Sequence, residues 1–330
     1  MTHAGVRRAA YIGGVAGLGL LLAFLVRANL GDLLHAIRIG GLQLLWLLPY
    51  RLLFFVLYAL GWAVLLRPYD ARGRATLPFL TWAATVREGI DRLLPVASIG
   101  GGIVGIRLLG WRGIALGAGA ASVIAEVLLT LVALSAFSLI GVSLLAIGHS
   151  GVPTAVVAVL VVGAAVSVGL AFALRSGRVF RGLQTALERF VGVKQLGIPA
   201  KDLDAHIQAT LRQGRALLAS GFLQLLAIAS GAFEVWFALR LFGHPVDVRS
   251  SVIVESLTQA ARHAAFFVPG ALGVQEGALI ALGASMGLSS ELALAVSLVK
   301  RAREVAWGLP ALVSWQWEEG RRVIRRVKGR

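Results

Sequence analysis

The chain has 330 residues, of which 58% are hydrophobic and 15% are charged, with a formal net charge of +16 and a mean hydropathy of +0.81. A soluble domain is about 45–50% apolar and about 25% charged, so this composition argues against a soluble globular protein. The basic residues lie mostly in linkers and at the C-terminal end, which argues against a nucleic-acid binder, and the absence of cysteine excludes disulfides and cysteine-ligated metals.

Five apolar segments are long enough to cross a bilayer, since a helix needs about 20 apolar residues to span the hydrocarbon. The first resembles a signal peptide, but Arg27 follows it instead of a small-residue cleavage site, so we interpret it as an uncleaved span. A sixth segment is long enough but carries four charged residues at its middle. In chain order the six are Ala9–Val26, Leu42–Leu66, Gly113–Ile147, Val152–Leu174, Ala216–Leu241 and Glu291–Trp317.

Two regions, Thr76–Leu109 and Val248–Leu288, do not fit this simple count of spans. Each contains two arms that are too short or too polar for an easy crossing, joined by a turn rich in proline and glycine. We predict a re-entrant helical hairpin in each region, although two tilted full crossings would give the same topology. The turn residues are Pro95, Gly100, Gly101 and Gly102 in the first region and Pro269, Gly270 and Gly273 in the second.

The positions of Lys and Arg predict the orientation in the membrane. These residues are concentrated in 67–74, in the linker 175–215 and in the tail 321–330, whereas the intervening connections carry none. By the positive-inside rule the N- and C-termini are cytoplasmic. Within the linker, residues 178–190 place apolar side chains at helical spacing, which predicts an amphipathic helix on the membrane surface or a short packing helix in a solvated loop.

The same order of spans and hairpin occurs twice along the chain. It covers residues 9–147 and then residues 152–317, and the second copy begins on the opposite side of the membrane. Many transporters use such an inverted-topology repeat around a binding site at the midplane. We therefore predict an all-α, polytopic fold in one transmembrane domain, residues 1–320, with about six full spans and two re-entrant hairpins.

Charged and polar residues at membrane depth form three clusters. Each ionisable residue costs roughly 2.5–3.5 kcal/mol to insert, so such residues usually face a cavity or a partner. In the first cluster, on the first hairpin, Arg87 and Asp91 are four residues apart and can pair, as can Glu88 and Arg92. In the third cluster, on the last span, Lys300 and Glu304 can pair in the same way. The predicted substrate path comprises Arg87, Glu88, Asp91, Arg92 and Arg107; Glu255, Gln259, Arg262, His263, Gln275 and Glu276; and Lys300, Arg301, Arg303 and Glu304.

These clusters have a structural and a functional interpretation. In the structural interpretation, Glu255 or Glu276 neutralises Arg301 and Arg303 in a buried network. In the functional interpretation, these arginines bind a phosphate or carboxylate headgroup. Two lone carboxylates, Glu126 and Glu234, either bind a proton or pair with an arginine from a hairpin. The histidines lack the spacing of metal ligands, so we predict no metal and no cofactor.

The two hairpin segments resemble the signatures of a known family. REGIDRLLPVASIGGGIVGIRLL (87–109), AAFFVPGALGVQEGALIALG (264–283) and SLVKRAREVAWGLP (297–310) are similar to the lysylphosphatidylglycerol-synthase-type transmembrane family, also called flippase-like. The branch associated with hopanoid biosynthesis is the most similar. The resemblance implies a bacterial cytoplasmic membrane protein whose partners are lipids. The matching residues are Arg87, Pro95, Gly101, Arg107, Pro269, Gly273, Glu276, Lys300, Arg301 and Glu304.

Three functions are compatible with these observations. The first is a transporter that moves a polar or anionic lipid, either a phospholipid or a hopanoid, between leaflets. The second is a membrane-embedded enzyme that modifies a lipid, for which His263 beside Glu255 is the one candidate acid–base pair. The third is a non-catalytic scaffold that binds lipid-biosynthesis enzymes. We expect transport, with no catalytic residue and no nucleic-acid partner.

Overall fold

The computed structural model describes residues 40–94, 100–148, 200–265 and 271–328. Its regular secondary structure in those ranges is entirely helical. The predicted all-α fold of a polytopic membrane protein is confirmed. Several predicted features lie outside the described residues: the spans Ala9–Val26 and Val152–Leu174, the helix at 178–190, and the turn residues Pro95, Pro269 and Gly270.

The described chain opens on a 3₁₀ helix, Leu42–Trp46, that leads directly into the first α-helix. The α-helices are α1 (Leu47–Leu66), α2 (Leu77–Leu93), α3 (Gly100–Trp111), α4 (Leu116–Gly148), α5 (Ala200–Leu211), α6 (Gly214–Ala229), α7 (Gly231–Leu241), α8 (Val248–Ala264), α9 (Val274–Ser285) and α10 (Ser290–Lys328). Three described stretches are long and apolar enough to cross a membrane: Leu42–Leu66, Leu116–Ile147 and Gly214–Leu241. All three coincide with predicted spans.

The predicted span Ala216–Leu241 is long and apolar enough to cross a membrane, but one residue interrupts its helix and divides it into α6 and α7. The break is at Ser230, whose hydroxyl donates to the Ala227 carbonyl at 2.6 Å. The Ser230 carbonyl in turn accepts a hydrogen bond from the Tyr50 hydroxyl at 3.0 Å. Serine often competes with the helix for backbone hydrogen bonds in this way. The break places Glu234 in the first turn of α7, inside the protein.

The two predicted hairpin regions have helical arms of matching length. In the first, α2 has 17 residues and α3 has 12; in the second, α8 has 17 and α9 has 12. At 1.5 Å per residue these arms are about 26 and about 18 Å long, shorter than the hydrocarbon thickness of about 30 Å. These lengths favour re-entrant arms over full crossings.

The basic linker 175–215 contains a packed helix that the sequence analysis missed. Leu203 and Ile207 of α5 are buried in the same core as Ile114 and Ala118. The Tyr69 hydroxyl donates to the His206 carbonyl at 2.9 Å and so ties α5 to the end of α1. Apolar residues four positions apart indicate such a packed face. The end of the linker is therefore part of the helical domain.

Helix α10 joins two separate apolar cores. Its early residues Val296 and Val299 pack with α7, α8 and α9, whereas Ala311 packs with α1 to α5. The charged residues 300–304 lie between these two contacts and are therefore enclosed by protein. With 39 residues α10 is about 58 Å long, and it continues through residues 321–328, which were predicted to be a tail.

Helices α2 and α10 approach each other closely where two glycines meet. A Cβ atom on Gly89 would lie 3.1 Å from the Gly308 Cα, and one on Gly308 would lie 2.6 Å from the Leu93 Cδ1. Small residues allow helix backbones to come together in membranes. The contact holds Glu88 of α2 beside Glu304 of α10, where both line one cavity.

Candidate functional site: a buried ion-pair network

The charged residues of α10 bind both α8 and the start of α9. Lys300 pairs with Glu255, and Glu304 accepts a hydrogen bond from Arg262 at 2.8 Å. The predicted Lys300–Glu304 pair was therefore wrong, although the two residues are one helical turn apart. Helical spacing identifies neighbours on one helix, but the packing of α8 against α10 decides which partner is nearer.

Arg301 and Arg303 also have partners within the chain. Arg301 lies 3.3 Å from a Glu276 oxygen, and 3.4 Å from Glu304. Arg303 pairs with Glu234 of α7. The structural interpretation of the third cluster is thus realised for Glu276, and Glu234 pairs with arginines of α10 and α1 instead of with an arginine of a hairpin.

Sequence analysis missed Arg51, which lies inside the apolar span Leu42–Leu66. Its side chain is 8% exposed and contacts the carboxylates of Glu88 at 2.9 Å and Glu234 at 3.6 Å. The guanidinium carbon is 3.7 Å from the centre of the Phe54 ring, a cation–π contact. A single arginine inside an apolar span was the available signal, because such a residue is a functional candidate by default.

The polar residues of the second hairpin form a hydrogen-bond chain. Gln259 donates to Glu255 at 2.8 Å, and Gln275 accepts from Arg262 and donates to the Ser297 hydroxyl at 2.7 Å. That hydroxyl donates to Glu276 at 2.8 Å, and Glu276 also accepts from the Gly273 backbone N–H. The predicted polar face of α8 is therefore brought together with the start of α9.

His263 is not placed to act on Glu255. Its Nδ1 atom lies 2.8 Å from the Gln259 carbonyl, while Glu255 is held by Lys300 and Gln259. Eight residues along a helix separate the two side chains by about 12 Å. The candidate acid–base pair is therefore not assembled.

In the first hairpin, Arg87 forms a separate buried pair with Glu126 of α4. Their atoms are 2.6 Å apart, with the two side chains 7% and 0% exposed, and the Arg87 guanidinium lies 4.6 Å from the Trp62 ring centre. Of the two alternatives predicted for Glu126, proton binding or pairing with a hairpin arginine, the structure therefore shows the second. The predicted Arg87–Asp91 pair was wrong, since Asp91 instead accepts from the Gly101 backbone N–H at 2.9 Å.

The remaining predicted residues of the first hairpin have different surroundings. Glu88 bridges Arg51 and Arg92, with Arg92 at 3.6 Å as its helical spacing predicted. Arg107 is half-exposed and pairs with Glu319 near the end of α10, away from the buried network. Gly100 and Gly102 lie in the first turn of α3.

A small cavity and a larger groove adjoin the network. The cavity, of about 10 Å³, is lined by charged and polar residues of α1, α2 and α10, including Arg51, Glu88, Arg303 and Glu304. This is the space of about one water molecule. The groove, of about 430 Å³, lies between α1, α2 and α10, is mostly apolar, and shares Thr85 and Trp307 with the cavity.

This arrangement has the chemistry of a charged site inside a membrane domain. The described ranges contain no group of three or more His, Asp or Glu side chains that could hold a metal ion. Arginines can hold a phosphate or carboxylate through two parallel hydrogen bonds, and here they already pair with carboxylates. The buried Nε atoms of Arg303 and Arg262 have no hydrogen-bond partner in the described chain, so the network has unused donors.

Comparison with protein families identifies the chain. A search of curated proteins and a search of solved structures each returned no match. The model of the lysylphosphatidylglycerol synthase transmembrane region matches residues 11–311, which include both hairpins and the charged part of α10. The protein therefore belongs to the lysylphosphatidylglycerol synthase transmembrane-region family and is a multi-pass membrane protein with a function related to membrane lipids.

Proposed function

We propose that this protein transports a lipid with an anionic or polar headgroup, a phospholipid or a hopanoid, between the leaflets of the bacterial cytoplasmic membrane. The observation that carries the proposal is the convergence of charge from both hairpins on one buried network. Glu88 of the first hairpin and Arg262 of the second are both connected to Glu304, the former through a shared cavity and the latter through an ion pair. Family membership relates the protein to membrane lipids.

The matching lengths of the hairpin arms support an inverted repeat. Two hairpins that enter from opposite faces would bring their polar ends to one depth, where a headgroup could pass while its hydrocarbon chains stay in lipid. The basic loops favour cytoplasmic termini in this arrangement. Because the arginines of the network are already paired with carboxylates, a headgroup can bind to an arginine only by displacing a carboxylate.

The alternative functions have less support. The acid–base pair predicted for an enzyme was His263 with Glu255, and in the described chain these two side chains have separate partners. Transport as we propose it requires neither catalytic chemistry nor a cofactor. A scaffold for lipid-biosynthesis enzymes would not need buried charge at both hairpins, so its binding to such enzymes should survive neutralisation of Arg262 and Arg301.

Lipid analysis of a strain lacking the gene tests the proposal. Transport predicts an unchanged lipid inventory with one lipid redistributed between leaflets, restored by the wild-type gene. The loss of a chemical species would instead indicate an enzyme. If inventory and sidedness both stay unchanged in the deletion strain, while enzyme complexes are lost, the transport proposal is wrong and the scaffold is correct.

A further inference from the structure

We infer that the apolar groove and the charged cavity form one binding site for an anionic phospholipid, with a hydrocarbon chain in the groove and the phosphate at Arg51. The inference rests on the proposed function and specifies the substrate class and the place of binding. The site lies between α1 and α2, on the side of the first hairpin.

The groove has the lining and the surroundings that a hydrocarbon chain requires. Leu52, Val56, Pro78, Trp82 and Trp307 line it, and Leu52 is 42% exposed. Helix α1 belongs to a stretch apolar enough to span a membrane, so its exposed face contacts lipid. A volume of about 430 Å³ is within the range of ligand pockets, roughly 300–1,000 Å³.

The charges next to the groove favour an anion. The cavity itself is lined by two arginines and two carboxylates, but the network around it has one more cation than carboxylates. Within the described chain its ion pairs join six cations, Arg51, Arg92, Arg262, Lys300, Arg301 and Arg303, to five carboxylates, Glu88, Glu234, Glu255, Glu276 and Glu304. The buried Nε atom of Arg303, whose side chain is 6% exposed, has no hydrogen-bond partner. A cationic headgroup would meet an excess of positive charge here, whereas a phosphate would reduce it.

Glu88 occupies the position that a phosphate would take. Its carboxylate contacts both Arg51 and Arg92, the same bridging contact that a phosphate makes between two arginines. At 20% exposed, its side chain is less enclosed than that of Arg51 at 8%. The cavity of about 10 Å³ is too small for a phosphate unless this carboxylate moves. Binding of the lipid therefore displaces Glu88 from Arg51.

Photo-cross-linking of the full-length protein in liposomes tests the site. A photoreactive amino acid replaces Leu52 in the groove or, as a matched control, Phe222, an exposed apolar residue of α6 that is 60% exposed. The liposomes contain phosphatidylglycerol and phosphatidylcholine with identical chains. We expect the position at Leu52 to form several-fold more adduct with phosphatidylglycerol, and the position at Phe222 to label both lipids equally.

Two variants test the role of charge in opposite directions. Glu88→Gln should increase the preference for phosphatidylglycerol at Leu52, because Arg51 and Arg92 lose a competing carboxylate. Arg51→Met should remove the preference, while Arg51→Lys, which keeps the charge and controls for folding, should retain part of it. If Glu88→Gln leaves the preference unchanged in correctly folded protein, displacement of Glu88 is wrong.

Other outcomes separate the site from the transport function. Equal labelling by both lipids at Leu52 would show surrounding bilayer lipid only, and cross-links to residues 1–39 would show that the chain itself covers the groove; either result overturns the inference. Leaflet exchange measured in the same liposomes is the second readout. Exchange without selective labelling rejects the site and leaves transport standing, whereas selective labelling without exchange rejects transport and leaves the lipid site standing.

Discussion

The two hairpins have arms of equal length but are held by different contacts. The second hairpin is bound to α10 through three ion pairs, made by Glu255, Arg262 and Glu276. The buried charges of the first hairpin instead pair with α4 and α1, and α2 contacts α10 closely through the backbones of Gly89 and Gly308. The difference indicates that buried charge fixes α10 to the second hairpin, whereas packing of small residues fixes it to the first, with only the half-exposed Arg107–Glu319 ion pair in addition.

The largest expected effect is at the charge that anchors the second hairpin. Glu304→Gln leaves Arg262 and Arg301 without a buried carboxylate that both contact, and breaking a buried pair costs about 3–5 kcal/mol. Thermal unfolding in detergent should show this loss. The control is Glu318→Gln on the same helix, whose half-exposed pair with Arg322 should contribute at most about 1 kcal/mol. Equal losses for the two variants would contradict the account of the anchoring.

The packing contact of the first hairpin is tested by adding a methyl group. Gly308→Ala places a Cβ 3.2 Å from the Gly89 Cα and 2.6 Å from a Leu93 methyl carbon, and overpacking of this kind costs about 1–3 kcal/mol. Gly102→Ala is the matched control, because its Cβ would meet its nearest neighbour, Val123, at 3.5 Å. If the two variants have the same unfolding midpoint, the contact between the two glycines does not contribute to stability.

A smaller effect is expected where the first hairpin is tied to itself. Asp91 on α2 accepts from the Gly101 backbone N–H at the start of α3, much as a capping side chain does. Asp91→Ala should cost about 1–2 kcal/mol, while Asp91→Asn keeps an acceptor oxygen and should cost less. Hydrogen exchange of the α3 amides measures the difference. The same protection in both variants would show that this hydrogen bond does not hold the hairpin.

The smallest effect is expected at the start of the second hairpin. Asp247 is the N-cap of α8 and accepts from the Ser250 backbone N–H at 2.9 Å; these hydrogen bonds lower the pKa of its carboxyl below its ordinary value. Asp247→Ala should cost about 1 kcal/mol at neutral pH. Because the folded pKa is the lower one, this contribution is complete above the ordinary pKa and is lost as the pH falls through the lowered one. A difference between variant and wild type that is as large at a pH below both values as at neutral pH would contradict the role of the charged cap.

The sequence predicted what depends on composition and local spacing. Long apolar runs located Leu42–Leu66 and Leu116–Ile147, and interrupted runs located both hairpins. It missed the break at Ser230, which depends on hydrogen bonds made after packing. It also missed α5, since the basic residues of the linker suggested a solvated segment.

For the site, the sequence predicted which residues carry charge but not which residues pair. Lys300 meets Glu255 on another helix, and a spacing of four residues contains no information about that contact. Arg51 was overlooked because a segment with a single charged residue still meets the criterion for a membrane span. Its burial between Glu88 and Glu234 places it inside the ion-pair network. Partners of this kind follow from tertiary packing alone.

Leaflet exchange of a labelled lipid by the purified protein tests the central claim most directly. The initial exchange rates of labelled phosphatidylglycerol, other phospholipids and a hopanoid would be measured in liposomes with the wild type, with Arg262→Ala, and with Arg240→Ala at an exposed position of α7 as control. The account predicts faster exchange than in protein-free liposomes for the wild type and for Arg240→Ala, and the protein-free rate for Arg262→Ala. A wild-type rate equal to that of protein-free liposomes across phospholipids and hopanoids would contradict it.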